Sequence, residues 1–219
     1  MPAAWDRLAD ATQPQAVSGS LSIITLGQVH AEDLTALSPY FRKLEQLVLD
    51  VAPLVELSSH RAEFNRAIDA ASNDWVLVVR EREIVDDALA GEIAEATSAA
   101  KARGFRIRSV PIYCGQPLRI GLEEGEVRLL HRRYYMRYAN KGEWQQLSIQ
   151  GTVMRLNNVL RSISFDTAAA HREQLARTAV PHSGLRRMLL FLRYAASAGT
   201  IDRNTLRYLW IEAAFDQTS

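Results

Sequence analysis

The chain has 219 residues, 47% of them hydrophobic, and a formal net charge of +1. This composition can supply one substantial core with a helical appendage, and the balanced charge excludes a chain-wide basic surface for nucleic acid or membrane. The single cysteine cannot form an internal disulfide, no signal peptide is visible, and no apolar run approaches the roughly 18 residues of a spanning helix. We therefore expect a cytoplasmic protein without a transmembrane helix.

The first part of the chain predicts the beginning of a parallel α/β sheet. Residues 1–19 form a flexible lead-in, residues 21–26 a strand, residues 31–37 a helix, and residues 44–51 a strand that carries Asp50 near its end. A strand, a helix and a strand at this spacing favour parallel pairing of the two strands.

Residues 65–83 form the centre of the predicted sheet. An amphipathic helix over residues 65–71 leads through a polar turn into residues 75–79, five apolar residues in a row. Such a run predicts a strand that is buried on both faces. Ligands of open α/β sheets bind beyond the carboxyl ends of such strands, and here that end is Arg-Glu-Arg-Glu at residues 80–83.

The remaining pattern predicts a second half that begins in the sheet and ends in helices. The predicted elements are a helix that begins at residues 85–87, a strand over 105–110, a hairpin or bent edge region over 111–122, a strand over 126–138, and helices over 168–179, 184–196 and 204–215, the last with Asp202 as its cap. This order predicts an α/β domain over residues 20–165 and a helical extension over residues 166–219.

The chain resembles family 2 glycosyltransferases of the lipopolysaccharide-core type. In that family an Arg-Asn pair and a helix lead through an Asp-Trp-x-Leu strand to an Asp-x-Asp-Glu motif. The residues that match this pattern are Asn65, Ala67, Ile68, Ala71, Asp74, Trp75, Leu77 and Glu83. The resemblance covers roughly residues 20 to 216 and implies a three-layer GT-A fold, with a mixed, mainly parallel sheet and a helical C-terminal extension.

Both metal-binding aspartates of the family motif are replaced here, by Arg80 and Arg82. No cofactor is therefore expected, and a divalent metal ion is disfavoured. Two interpretations of the arginines stay open. Their guanidinium groups bind a diphosphate directly in place of a metal ion, or they pair with neighbouring glutamates in a solvated loop.

The resemblance also implies a donor-binding site on the sheet. Its residues in this chain are Asp50, which matches an aspartate that contacts the base, together with Arg61, Asn65, Arg80, Arg82 and Glu83. The family arginine before Asn65 is replaced by Phe64, and Arg61 is the nearest substitute. The segment after Asp50 is shorter than in the family, with residues 55–57 as the remnant of a strand.

The acceptor side of the site is altered as well. Trp144-Gln145 stands where the family has a His-Glu pair, and glutamine has no basic oxygen for the proton of an attacking hydroxyl. Glu143 and Glu81 are the candidate bases, although neither has supporting spacing. The catalytic residues are therefore unknown.

Two basic segments point to partners. The helix from Leu185 to Tyr194 is basic and amphipathic, so it fits the inner face of a membrane as well as it fits packing on its own domain or on a second subunit. The arginines and tyrosines of residues 128–138 resemble a nucleic-acid surface, but a strand pair with partly buried arginines is the preferred interpretation, and no nucleic acid is expected.

Two functions follow from these observations. The first is a glycosyltransferase-like enzyme that moves a sugar from a nucleotide-sugar donor to a glycan or lipid-linked acceptor in cell-envelope polysaccharide assembly, without a metal ion. The alternative is a non-catalytic homologue that acts as a binding or scaffolding subunit. The altered motifs leave the choice between enzyme and scaffold open.

Overall fold

The computed structural model describes residues 19–50, 61–99, 101–118, 125–136, 147–178, 180–181, 202–213 and 215–216. Within these residues the protein has a mixed α/β fold built on an eight-stranded sheet.

The strands are β1 (Gly19–Leu26), β2 (Phe41–Leu49), β3 (Trp75–Arg80), β4 (Glu83–Ile84), β5 (Gly104–Tyr113), β6 (Gln116–Pro117), β7 (Glu126–His131), β8 (Tyr135–Met136), β9 (Ser148–Ile149), β10 (Val153–Phe165), β11 (Val180–Pro181) and β12 (Phe215–Asp216). The helices are α1 (Arg61–Ala70), α2 (Asp87–Ala99), α3 (Ala168–Thr178) and α4 (Arg203–Glu212), with 3₁₀ helices over Ala31–Leu37 and Arg132–Tyr134.

The sheet has the order β2-β1-β3-β7-β5-β10-β4, and β6 pairs with β5. Strand β1 pairs in parallel with both β2 and β3, and β5 pairs in parallel with β10. Strand β7 is antiparallel to β3 and β5, and the short β4 is antiparallel to β10. The prediction of a mixed sheet with a parallel start is therefore confirmed.

Strand β3 lies at the centre, as its apolar run predicts. Its five residues Trp75 to Val79 are all buried, because both faces of the strand are covered. On one face Leu77 and Val79 pack in a cluster with Leu89 and Ile93 of α2. On the other face Val76 and Val78 pack in a cluster with Phe64 and Ile68 of α1. The turn that follows β3 is thereby attached to a strand that is buried on both faces.

Helix α2 begins at Asp87, within the predicted start at residues 85–87. The carboxylate of Asp86 accepts a hydrogen bond from the amide of Leu89 at 3.0 Å, which satisfies one of the free amides of the first turn. The predicted cap of α4 is also confirmed, since Asp202 accepts a bond of 2.9 Å from the amide of Thr205. That helix ends at Glu212 rather than at residue 215, because Phe215 pairs with Pro181 in a short strand.

Two other predictions need correction, and a third is confirmed with its helix type added. The predicted strand over 126–138 ends at His131, because the chain then forms a 3₁₀ helix over Arg132–Tyr134, in which the amide of Tyr135 donates to the carbonyl of Arg132. The predicted helix over 31–37 is present as a 3₁₀ helix, Ala31–Leu37, and it has no side-chain cap at its start. The hairpin around Gly115 is present, but β5 is internal rather than an edge, and Pro111 lies opposite Ser162 of β10.

The long strand β10 was not predicted. It pairs with β5, and the pairing has a bulge between Arg155 and Val159. There an advance of four residues along β10 corresponds to an advance of two residues along β5. The carboxylate of Glu92 on α2 holds this bulge by accepting bonds from the amides of Asn157 and Asn158 at 2.7 and 2.8 Å. The two asparagines hide the strand pattern in the sequence, since they are typical of turns.

Helices α3 and α4 pack on the end of β5 through a small separate cluster that includes Tyr113, Leu175 and Ile211. At its centre the fully buried ring of His171 is stacked between Phe165 and Tyr208. Nε2 of His171 lies 2.9 Å from a carboxylate oxygen of Glu212. Within the described part of the chain, every helix is too short or too polar to cross a bilayer.

Candidate functional site

The carboxyl ends of three parallel strands meet at one edge of the sheet and bring together Asp50 and residues 80–83. Leu26 of β1 is opposite Leu49 of β2 on one side and Arg80 of β3 on the other. The amide of Glu81 also donates a bond of 2.8 Å to the carbonyl of Leu26. Two strand spacings separate Asp50 from Arg80, roughly 10 Å. The exposed Asp50 and the arginine turn therefore share this edge, as the sequence predicts.

Arg82 is held in a left-handed conformation in the turn between β3 and β4. Its φ is +63°, a value that costs a residue with a side chain about 1–2 kcal/mol. The surrounding bonds hold the turn in place: Glu83 accepts a bond from the amide of Arg80 at 2.8 Å, and the amide of Ile163 donates to the carbonyl of Arg82 at 2.8 Å. The backbone thus directs the Arg82 side chain from a fixed point on the edge.

The guanidinium of Arg82 is accessible and weakly held. Its side chain is 44% exposed, and its contact with the carboxylate of Asp166 is 3.5 Å long. Asp166 is itself 78% exposed, so the attraction is screened by water. An incoming anion can therefore compete for Arg82 at low cost.

Arg80 has a tighter partner. Its guanidinium contacts the carboxylate of Glu126 on β7 at 2.8 Å, and both side chains are about two-fifths exposed. Glu126 also lies 3.2 Å from Nε of Arg128. Arg80 would have to leave or share Glu126 in order to bind an anion.

Glu83 lies inside the protein rather than at the surface of the turn. Its side chain is 3% exposed and contacts the equally buried Arg128 at 3.2 Å. The carboxylate also accepts bonds from the hydroxyl of Ser109 at 3.2 Å and from the amide of Arg80. A buried carboxylate needs such partners, because an unpaired charge is costly in the interior. Glu83 therefore acts on the site by holding the turn.

Sequence reasoning missed the full burial of Arg128, which was predicted to be one of the partly buried arginines of a strand pair. The residue is the extra one in a bulge of β7, since Phe105 and Arg106 of β5 are opposite Leu129 and Val127. Burial lowers the pKa of the Arg128 guanidinium, and the charge of Glu83 opposes that effect. The only signal in the sequence is an arginine inside an otherwise apolar strand.

Of the other predicted donor residues, Asn65 lies apart from the arginine turn, and Arg61 has a side chain outside the described residues. The side-chain oxygen of Asn65 accepts a bond of 2.8 Å from the hydroxyl of Tyr135 on β8. Arg61 is the first residue of α1, and its side chain lies outside the described residues. Phe64, at the position of the family arginine, is fully buried against the sheet.

Other predicted features fall outside the described residues. They are Glu143, Trp144 and Gln145 on the acceptor side, the strand remnant at 55–57, and the helix over 184–196 with its segment 185–194. Among the described residues, no cluster of three or more His, Cys, Asp or Glu side chains could hold a metal ion.

Asp74 and Trp75, which match the family pattern, make structural contacts. Asp74 lies at the opposite edge of the sheet, where its carboxylate contacts Arg133 at 3.4 Å. Trp75 is buried between Phe105 and His131, with ring centroids 5.8 and 5.2 Å away.

Comparisons with known proteins assign no family. No protein-family model matches the chain, and no curated protein sequence matches it. Among solved structures the chain is similar to the crystal structure of S. aureus TarS 1-349, with 9% sequence identity and a TM-score of 0.38. That similarity covers 89% of this chain and 81% of the other. At this identity and score it does not establish a shared family or activity.

Proposed function

We propose that this protein is glycosyltransferase-like and binds the diphosphate of a nucleotide sugar at the carboxyl edge of β1, β2 and β3. One observation carries the proposal, namely the position of Arg82. Its backbone is held at φ +63° at the end of the central strand, and its guanidinium is accessible there. Left-handed residues with side chains are uncommon and occur preferentially at functional sites.

A guanidinium is chemically suited to this role. It is always charged, and its planar array of donors matches two phosphate oxygens at once. In this proposal Arg82 supplies the positive charge that a metal ion supplies in relatives of the resembled family. Asp50 lies at the same edge, two strands away, on the side where that family binds the nucleotide base.

The proposed fold is a three-layer GT-A-like domain over residues 20–165, preceded by a lead-in and followed by a helical extension over 166–219. The cover of β3 by α1 on one face and α2 on the other supports three layers. The separate cluster of α3 and α4 around His171 supports an extension that begins near residue 166.

If the protein is catalytic, the reaction is a direct displacement. An acceptor hydroxyl oxygen of a glycan or a lipid-linked saccharide forms a bond to the anomeric carbon, and the bond from that carbon to the diphosphate oxygen breaks. Arg82 stabilises the charge that develops on the departing diphosphate. The hydroxyl proton passes to a base that is not assigned. The proposed setting is polysaccharide assembly at the cytoplasmic side of the cell envelope, with the segment from Leu185 to Tyr194 facing a membrane or a second subunit.

A second candidate function is a non-catalytic binding or scaffolding subunit. The pairing of the motif residues favours it, because Glu83 is buried against Arg128 and Arg80 is paired with Glu126. In this form the turn retains its structural bonds, and the edge binds a saccharide or a protein partner without transfer.

A thermal-shift experiment against UDP- and GDP-sugars, with and without Mn²⁺, tests both candidates. The donor-binding proposal predicts a rise in melting temperature that needs no metal ion and disappears in Arg82→Ala. Arg66→Gln is the matched control, since it removes an arginine charge from the exposed surface of α1. If none of the nucleotide sugars raises the melting temperature, the result contradicts donor binding and favours the scaffold.

An assay for released UDP or GDP then separates the enzyme from a binding subunit. The wild-type protein is incubated with the stabilising donor and a mixture of saccharide acceptors. Release that depends on the acceptor and is lost in Arg82→Ala supports transfer, whereas stabilisation without release supports binding alone.

A further inference from the structure

A cavity of about 440 Å³ lies at the edge of the sheet opposite to Arg82. It is lined by residues 101–103, which precede β5, by residues 150–152, which precede β10, and by Tyr134, which follows β7. Because β3, β5 and β10 run in the same direction, this is the edge of their amino ends. The cavity is therefore separate from the proposed donor site.

Backbone hydrogen bonds fix the walls of this cavity. The amide of Arg103 donates to the carbonyl of Thr152 at 2.8 Å, and the carbonyl of Arg103 accepts from the amide of His131 at 2.9 Å. The amide of Gln150 donates to the carbonyl of Tyr134 at 2.8 Å. The three chain segments that form the cavity are therefore tied to one another, and the cavity is part of the fold.

The guanidinium of Arg103 is positioned rather than free. Its central carbon lies 4.2 Å from the centroid of the Tyr134 ring, a cation–π contact. Gly151 makes room for the stem of the arginine, because a Cβ atom on Gly151 would lie 3.0 Å from Cγ of Arg103. The φ of Gly151 is +114°, which residues with side chains rarely adopt.

The cavity is positively charged. Lys101 and Arg103 are the charged residues among its lining, and neither forms an ion pair with an acid of the described residues. Arg80, at the other edge, contrasts with them because it contacts Glu126 at 2.8 Å. Gln150 and Thr152 add exposed polar side chains to the wall. Such a wall attracts anions and offers few apolar surfaces.

We propose that this cavity binds a small ligand through a phosphate group. Arg103 donates two hydrogen bonds to the phosphate, and Lys101 neutralises a further charge. The volume lies within the range of small-molecule sites, about 300–1,000 Å³. Because the lining is polar, the rest of the ligand is hydrophilic, such as the sugar of a sugar phosphate or the ribose of a nucleotide.

Isothermal titration calorimetry at low ionic strength tests this proposal with three probes: inorganic phosphate, glucose 6-phosphate and AMP. The proposal predicts binding of a phosphate probe, weakened at least about tenfold in Arg103→Gln through loss of charge-assisted hydrogen bonds. Lys101→Gln, at an exposed position, weakens binding as well and serves as the test if Arg103→Gln does not fold. The relative affinities of glucose 6-phosphate and AMP distinguish a sugar phosphate from a nucleotide.

Two further variants separate this site from the proposed donor site. Arg66→Gln should bind the phosphate probes as the wild-type protein does, and Arg82→Ala should retain the binding event that Lys101→Gln weakens. In spectra of protein labelled with ¹⁵N-glycine, the amide signal of Gly151 should shift on binding. The proposal is overturned if no probe binds, if Lys101→Gln and Arg103→Gln bind as tightly as the wild type, or if Arg82→Ala alone abolishes binding.

Discussion

Arg128 and Glu83 form an ion pair of 3.2 Å in which each side chain is only 3% exposed. Arg128 is the extra residue in the bulge of β7, and Glu83 also accepts a bond from the amide of Arg80. The buried pair therefore connects the turn that carries Arg82 to the interior of the sheet. A buried pair of this kind adds little net stability, but the loss of one partner leaves an uncompensated charge.

Glu83→Gln should therefore strongly destabilise the protein. We expect the free energy of unfolding to fall by up to about 3–5 kcal/mol, because the buried Arg128 then keeps only the half-exposed Glu126 as a counter-charge, and Glu126 also pairs with Arg80. Urea denaturation followed by tryptophan fluorescence measures the change. Glu81→Gln, the same substitution two residues earlier, is the control and should change stability by less than about 0.5 kcal/mol. Equal effects of the two substitutions would contradict the role given to the buried pair.

The left-handed conformation of Arg82 predicts opposite effects for two substitutions at that position. Arg82→Gly should leave the free energy of unfolding unchanged or raise it, since glycine adopts φ +63° without steric cost. Arg82→Val should lower it by about 1 kcal/mol or more, because a branched side chain clashes in this region. The free energies of unfolding of the two variants are measured by urea denaturation without ligand. A Gly variant less stable than the Val variant would show that the turn is not strained.

Gly125 and Gly115 share a positive φ but differ in their surroundings. A Cβ atom on Gly125 would lie 2.9 Å from the backbone of Ile107, whereas a Cβ on Gly115 would meet nothing within 4 Å. Gly115→Ala should cost about 1–2 kcal/mol from the backbone conformation alone. Gly125→Ala should cost about 2–5 kcal/mol, since β5 must also move. The midpoints of urea denaturation of the two variants measure this difference. Equal midpoints would contradict the additional cost predicted for Gly125→Ala.

Glu45 gives a pH-dependent contribution to stability. The hydrogen bond from Ser22, at 2.5 Å, and then the bond from the amide of Ser72 lower the pKa of the Glu45 carboxyl below its ordinary value of 4.5. Protonation therefore favours the unfolded chain. The stability difference between wild type and Glu45→Gln should be full above about pH 4.5 and shrink as the pH falls below that value. Denaturation at a series of pH values measures it, and a constant difference would contradict the linkage.

His171 holds the C-terminal helices on the end of β5. His171→Ala removes the bond to Glu212 at 2.9 Å and the stacking between Phe165 and Tyr208. We expect amide hydrogen exchange to accelerate across α3 and α4 while β3 keeps its protection. Glu212→Gln retains a hydrogen-bonding group of the same size and should have the smaller effect. Uniform acceleration through β3 would show that the helices are not a separate unit of stability.

The sequence predicts the elements whose signals are local. The apolar run of β3, the acids at the start of α2 and the cap Asp202 each specify a strand or a helix end without help from distant residues. The order of strands along the chain likewise predicts parallel pairing at the start of the sheet. The placement of Asp50 and the arginine turn at one edge follows from that pairing.

The missed features depend on contacts between distant residues. Arg128 is buried because Glu83, far away in the sequence, neutralises it, and no local pattern shows that pairing. The strand around Asn157 is stabilised by Glu92 of α2, so its turn-forming residues do not end it. The cavity at Arg103 similarly requires segments from three strands to meet.

The bulge of β10 limits how this protein can change in length. Two residues of β10 are extra there relative to β5, and Leu156 inside the irregularity and Leu160 just beyond it both reach the core. The backbone of the extra residues is held by the carboxylate of Glu92 on α2. Insertions or deletions near Asn157 should therefore be tolerated only where the altered loop can still donate to Glu92.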